Sequence, residues 1–198
     1  MLERFDEAWL AAGQSRELFR ERGAEWGDYA LAVVAALEGD HDTACRHWQL
    51  VCDWLEATSQ NAFLASHAAL LGLELCRLGR LEEAEACARR SRALGDADDL
   101  VTQGLWREAT ALVESHRGDH VEAERLAREA LGYLQRTDSL AFQGGALRDL
   151  AETLLAAGRA EEAAAAFGQA LDAYERKRVL PLARHIRERL MTLEPVGR

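Results

Sequence analysis

Residues 39–44 read GDHDTA, residues 79–84 GRLEEA, residues 118–123 GDHVEA and residues 158–163 GRAEEA. The glycines Gly39, Gly79, Gly118 and Gly158 fall 40, 39 and 40 residues apart, and each phrase closes on an alanine: Ala44, Ala84, Ala123 and Ala163. Residues 4–8 (RFDEA) look like a fifth copy, with Glu3 where the glycine would stand and Ala8 at the close. A fixed internal period decides the architecture before any local reading does. Glycine after an apolar-periodic segment ends a helix cheaply in the left-handed conformation. Acidic residues just beyond it suit the first turn of a second helix, and Asp119 with Glu122 has the spacing of a capping box. The alanine stands where two helices approach closely and a larger side chain would overpack. Each unit therefore reads helix, tight turn, helix.

Helical periodicity extends outward from these turns. Ala62, Leu64, Ala68, Leu71, Leu75 and Leu78 trace one apolar stripe before Gly79, and Leu147, Leu150, Leu154 and Leu155 trace another before Gly158. Ala163, Phe167, Ala170, Leu171 and Tyr174 carry the stripe onward. Residues 59–61 (SQN), 95–98 (GDAD) and 137–139 (TDS) separate the units. The pattern predicts an all-α chain in one array: a half repeat over 4–22, helix pairs over 25–57, 61–94, 99–136 and 140–177, and a capping helix over 180–193. Pro181 then sits in the first turn of that last helix. The opening segment reads as a second helix without its first, so an array continuing upstream is expected. Phe5, Trp9 and Phe19 would need cover, which makes them a candidate homodimer surface.

The 198 residues are 48% apolar and 29% charged, a globular composition. The two prolines, Pro181 and Pro195, leave the first 180 residues free for unbroken helices. With 24 basic and 34 acidic residues the net charge is −10, which disfavours phosphate backbones and argues against nucleic-acid binding. Residues 176–198 hold seven basic and two acidic groups, Glu194 and Arg198 among them, so the tail is +5 and the remainder −15. Capping of the array by this basic helix is preferred over docking of an acidic partner. Lys177 is the only lysine, a usage typical of a GC-rich coding genome. No signal-peptide core and no membrane-length apolar run occur, so a cytoplasmic location is expected.

Known catalytic patterns are missing. No P-loop can be written around Lys177, no HExxH occurs, and Ser115-His116 has no nucleophile elbow. Residues 96–99 (DADD) begin like a calcium loop, but the central glycine is missing and Arg107 stands where the glutamate belongs, so a helix cap is the reading. His41, Cys45, His47 and Cys52 do not give four convergent ligands. The four cysteines read as reduced packing residues, with Cys76 and Cys87 on paired helices. No enzyme activity, cofactor or metal is expected. Trp9, Trp48, Trp54 and Trp106 read as packing residues.

These units resemble tetratricopeptide repeats, best in the last pair, where Ala151, Gly158, Ala163, Phe167 and Ala170 fit the pattern. They run longer than the short form of that family and lack its closing proline. The chain is also similar to the helical C-terminal part of bacterial regulators that couple a P-loop ATPase to a LuxR-type DNA-binding domain, of SARP-type activators, and of regulators with a nucleotidyl cyclase domain. The phrases that carry this are residues 102–106 (TQGLW), 118–130 (GDHVEAERLAREA), 171–177 (LDAYERK) and the helix from Ala183 to Leu190. In such tails a glycine usually follows the lysine, and here Arg178 stands there.

The resemblance implies a right-handed superhelical solenoid whose first helices line a concave face. Aligned on the glycines, that face would carry Trp26, Tyr29, Val33, Ala69, Leu73, Cys76 and Arg77, then Glu108, Leu112, Ser115, His116, Arg148, Glu152 and Leu155. The candidate binding residues are Trp26, Tyr29, Arg77, Glu108, His116, Arg148 and Glu152, with Arg148 and Glu152 spaced to pair with each other. Family members that clamp a C-terminal carboxylate use Lys, Arg and Asn where this chain has Tyr29, Ala69, Glu108 and Arg148, so that clamp is not expected. The function expected is recognition of a protein or peptide partner within a bacterial transcriptional or signalling regulator. The alternatives are a module sensing a peptide or small molecule, for which a deep apolar pocket among Trp26, Tyr29 and Leu73 would speak, and a non-catalytic segment of a multidomain ATPase or cyclase.

Overall fold

The computed structural model describes residues 5–22, 24 and 26–193. Glu3, Arg4, Glu194, Pro195 and Arg198, and the expected helix start at residue 25, lie outside the described residues. The chain divides into two compact units, residues 1–97 and 98–198. The first holds α1 (Phe5–Arg20), α2 (Asp28–Glu38), α3 (His41–Ala57), α4 (Asn61–Arg77) and α5 (Leu81–Leu94). The second holds α6 (Leu100–Arg117), α7 (His120–Leu134), α8 (Leu140–Ala156), α9 (Ala160–Lys177) and α10 (Leu180–Leu193). Among the described residues there is no strand, as the all-α pattern of helix pairs requires. Within each unit the helices pack mainly on their neighbours in sequence, and α6 also touches α8. No described helix is long and apolar enough to cross a membrane.

The repeated phrase makes the same turn four times. Gly39, Gly79, Gly118 and Gly158 all have positive φ, between 72° and 89°. In each, the next residue donates its backbone N–H to a carbonyl five residues back, from Asp40 to Ala35, Arg80 to Leu75, Asp119 to Glu114 and Arg159 to Leu154, at 2.9–3.0 Å. This is the Schellman closure, which satisfies carbonyls that a helix end leaves open. Two chemistries then start the second helix. Asp40 accepts from the Thr43 N–H at 3.0 Å, and Asp119 from the Glu122 N–H at 3.1 Å. Arg80 and Arg159 cannot accept; their guanidinium groups instead grip Glu83 and Glu162 three residues on, each with two bonds of 2.6–2.7 Å. Asp99 caps α6 by accepting from the Val101 and Thr102 N–H groups at 3.1 Å, so the acidic run before α6 is a helix cap.

Ala44, Ala84, Ala123 and Ala163 are fully buried. Glycine extends the same economy inside two pairs. A Cβ on Gly104 would sit 2.5 Å from Leu134 Cγ, and one on Gly144 would sit 2.7 Å from the Tyr174 ring. Both are therefore sites where a first helix admits a large side chain of its second. The core of the second unit forms around Phe167 and Tyr174, with Leu147, Leu150, Leu154 and, from α10, Ala183 and Ile186. α10 is also tied by charge: Arg189 reaches Glu152 of α8, and Arg187 reaches Glu175 of α9.

Two details depart from the sequence reading. α2 begins at Asp28, leaving Trp26 and Gly27 in the turn before it. Phe5, Trp9 and Phe19 are half-buried, and the Trp9 indole donates to Glu38 at 2.7 Å, while Leu10 and Leu18 are the exposed large apolar residues of α1.

Arg178, at the position where the resemblance expects glycine, has φ 61° and closes α9 as the glycines close the earlier helices, with the Val179 N–H on the Tyr174 carbonyl at 2.9 Å. A side chain in that conformation costs roughly 1 kcal/mol. Arg178→Gly should therefore raise stability by about 0.5–1 kcal/mol in a denaturant titration, despite the greater freedom of glycine in the unfolded chain.

Candidate binding site

The face predicted from the glycine alignment divides sharply by burial. In the first unit, Ala69, Leu73 and Cys76 are buried, Trp26, Val33 and Arg77 are half-buried, and Tyr29 is exposed. In the second unit, Glu108 and Leu112 are buried, Ser115, Arg148, Glu152 and Leu155 are half-buried, and His116 is exposed.

The aromatic residues of the first unit gather around His67 of α4. Trp26 stacks on Tyr29 with centroids 5.8 Å apart and planes 6° from parallel, and it meets Trp54 and Phe63 edge-on. The imidazole lies 5.3–5.8 Å from the rings of Trp26, Tyr29 and Trp48. Its Nδ1–H donates to the Phe63 carbonyl at 2.6 Å, and burial lowers its pKa. Trp26 and Tyr29 are therefore wall against wall. Polar side-chain contacts stitch the same unit: His47 Nδ1 meets buried Asp28 at 2.7 Å, His41 Nδ1 meets Glu74 at 2.7 Å, and Arg77 also reaches Glu74.

The second unit brings together a cluster that its sequence does not announce. Glu108 of α6 and Asp149 of α8 are 3% and 5% exposed and hydrogen-bonded to each other. Burial, with the Asp149 carboxyl beside it, holds the Glu108 carboxyl protonated well above the ordinary carboxylate range. The protonated group is the donor of that bond. Arg148 Nε donates to Asp149 at 2.7 Å, so Arg148 pairs with its neighbour in sequence. Glu152 meets Arg189 of α10 through two bonds of 2.9 and 2.7 Å. The expected Arg148–Glu152 pair is thus replaced by partners that a helical wheel does not show. Tyr174 of α9 adds a hydroxyl pushed up to about 12 by burial, within electrostatic range of Arg148, Asp149 and Glu108. Glu108 was readable as an inward-facing residue. Asp149 was missed, although the repeat period aligns it with the buried Ala109, a position that does not invite a charge.

Other candidate chemistry is weaker. Among the described residues, no three His, Cys, Asp or Glu side chains converge to hold a metal ion. All four cysteines are free, and burial pushes the Cys45 and Cys52 thiols up to about 12, unsuited to nucleophilic work. Cys87 lies within electrostatic range of both. A cleft of about 440 Å³ between α8 and α9 is lined by Leu140, Gln143, Leu147, Gln169, Asp172 and Arg176, away from the acid pair.

The raised Glu108 pKa has a definite sign. Between the ordinary glutamate value of 4.5 and its folded value, the folded protein holds a proton that the unfolded chain releases. Stability from this group is therefore full at low pH and lost as pH rises through the folded value. Glu108→Gln keeps a donor to Asp149 at every pH. Its melting temperature should exceed that of the wild type by several degrees at about pH 8 and match it more closely near pH 5. Equal pH dependence in the two proteins would contradict a shared proton.

The family model of the tetratricopeptide repeat matches residues 26–49, 107–129 and 144–176. The second match includes Glu108 of the cluster, and the third includes Asp149 and Tyr174. Among solved structures, the chain is similar to BtubC (BKLC) from P. vanneervenii, at 15% identity and a TM-score of 0.58, over 100% of this chain and 96% of that one. That likeness is one of fold alone. No curated protein matches the sequence. The tetratricopeptide-repeat model thus matches one segment in the first unit and two in the second.

Proposed function

We propose that this chain is a non-catalytic protein–protein interaction module of a bacterial transcriptional or signalling regulator, acting in the cytoplasm and recognising a protein or peptide partner through the first helices of its repeats. Tetratricopeptide repeats support the interaction role as a class. The observation that carries the reading is the α6–α8 pair. Ser115 and His116 on α6, and Arg148, Glu152 and Leu155 on α8, are all at least partly accessible beside a largely apolar core that also buries Glu108 and Asp149. Rigid helices that offer mixed polar and apolar side chains hold an extended segment at little ordering cost to themselves. The paired rings of Trp26 and Tyr29 favour a surface over a deep pocket, and so favour the partner reading over a small-molecule sensor.

Selection from a displayed random-peptide library against the whole chain tests this. Peptides should emerge that bind with a Kd of about 1–100 μM. Ser115→Arg places a bulky cation on α6 outside the core and should weaken them roughly tenfold or more while the helical circular dichroism is unchanged. Full affinity in that variant would place binding elsewhere, and an empty selection would count against an interaction module.

A further inference from the structure

The cleft of about 440 Å³ between α8 and α9 has a counterpart in the same unit that is filled. Gly104 and Gly144 each admit a large side chain of the second helix, Leu134 and Tyr174, so a shift of 40 residues aligns α6–α7 with α8–α9 on both helices. In α6–α7 the groove holds Arg107. Its Nη1 donates to the Gln103 carbonyl and to Gln103 Oε1, both at 2.8 Å, and its Nε reaches Glu129 of α7 at 3.3 Å. The guanidinium carbon lies 4.0 Å from the Trp106 ring centroid and 4.4 Å from that of Tyr133. Forty residues on, Leu147 stands in place of Arg107 and Ala173 in place of Tyr133, while Arg125 and Arg128 give way to Ala165 and Gly168. All four shorter residues line the cleft, and a Cβ built on Gly168 would meet nothing within 4 Å. The acceptors remain. Gln143 takes the place of Gln103; its Nε2 donates to the Thr137 carbonyl at 2.8 Å, which leaves Oε1 to accept. Gln169 takes the place of Glu129, and a carboxylate reappears one turn on, at Asp172. Asp172 pairs with Arg176 at 3.3 Å, but these side chains are 66% and 63% exposed, so the pair is weak and open to exchange. Arg136 stands at the place of Arg176 in the filled pair, so a cation at that position coexists with a seated guanidinium.

We propose that the α8–α9 cleft docks a peptide segment of a partner protein in which an arginine stands beside an aromatic residue, the guanidinium entering where Arg107 lies in the preceding pair. Gln143 and Asp172 accept from the guanidinium, and the ring lies over Ala173, as the Tyr133 ring does forty residues earlier. The space that Arg107 and Tyr133 take up together in α6–α7 is open here, more than a lone arginine fills, which is why the occupant is a peptide. A planar guanidinium bonds at its edge while it stacks on its face, and a lysine ammonium cannot do both. Entry needs no movement of the core, because Ala165, Gly168, Gln169, Asp172 and Arg176 are all exposed. The chain's excess of acidic over basic residues, 34 against 24, favours a cationic segment. This site shares no residue with the α6–α8 face and goes beyond the reading given for it.

The experiment is an NMR titration of the full chain with the blocked peptide acetyl-Gly-Arg-Tyr-Gly-amide. The same peptide with lysine in place of arginine, and arginine amide alone, are titrated beside it. The expected result is a Kd of about 0.1–1 mM, with shifts at the Gly168 backbone amide and the Gln143 side-chain amide. The lysine peptide and arginine amide should each bind about fivefold more weakly or worse. Two substitutions at exposed positions leave the helices intact and test the acceptors. Asp172→Asn should weaken the arginine peptide roughly fivefold, and Gln169→Glu, which restores the carboxylate of the filled pair, should tighten it about threefold. No shift at Gly168 by about 10 mM peptide, equal affinity for the lysine peptide or for arginine amide, or an affinity that either substitution leaves unmoved would each overturn the proposal. Ser115→Arg should leave this binding unchanged; its loss in that variant would put the peptide on the α6–α8 face and overturn the proposal without touching the interaction reading.

Discussion

Every helix pair with a glycine turn depends on one steric condition: the chain must reverse within a residue or two and bring a second helix flush against the first. A left-handed residue at the turn and a small residue five positions later meet it together. The four glycines make the reversal without a Cβ penalty, and the four alanines let the helices close to full burial. Arg178 shows the same condition from the other side. It adopts the left-handed turn after α9 because α10 has to return onto that helix, where Ala183 and Ile186 are buried. The packing overrides the preference of the residue.

The close approach has a chemical consequence. Gly144 admits the Tyr174 ring into α8, and the contact of α6 with α8 sets Glu108 against Asp149. In the preceding pair, Gly104 admits Leu134 in the same way, and Ala109 occupies the place that aligns with Asp149. One repeat thus fills the shared geometry with hydrocarbon, and the next fills it with a phenol and a carboxyl. Burying these polar groups destabilises the fold unless they are paired. Their presence at positions that leucine and alanine satisfy in the preceding repeat sets the core of the last repeat apart from it.

The turns were legible in the sequence because their chemistry is local. A glycine, a cap and an alanine within six residues carry their own geometry, and the Asp99 cap could be told from a calcium loop by residue type alone. The candidate face was less legible. Spacing on one helix suggested that Arg148 pairs with Glu152, but the partner of Glu152 is Arg189, 37 residues away on α10. Such a pair exists only once three helices have packed. The same holds for the rings gathered around His67, which come from the turn before α2, α2 itself, α3 and α4. Asp149 is the instructive miss: its position in the repeat marked it as core-facing, and only the partner across α6 explains why a carboxyl stands there.

The account turns on Glu108 and Asp149 sharing a proton inside the repeat. Carboxyl carbon NMR, following the Glu108 side chain across a pH titration of the folded protein, measures this directly. The account predicts a Glu108 midpoint well above the ordinary glutamate value of 4.5. A midpoint at the ordinary value would mean that the two carboxyls do not meet in a buried site, and would contradict it.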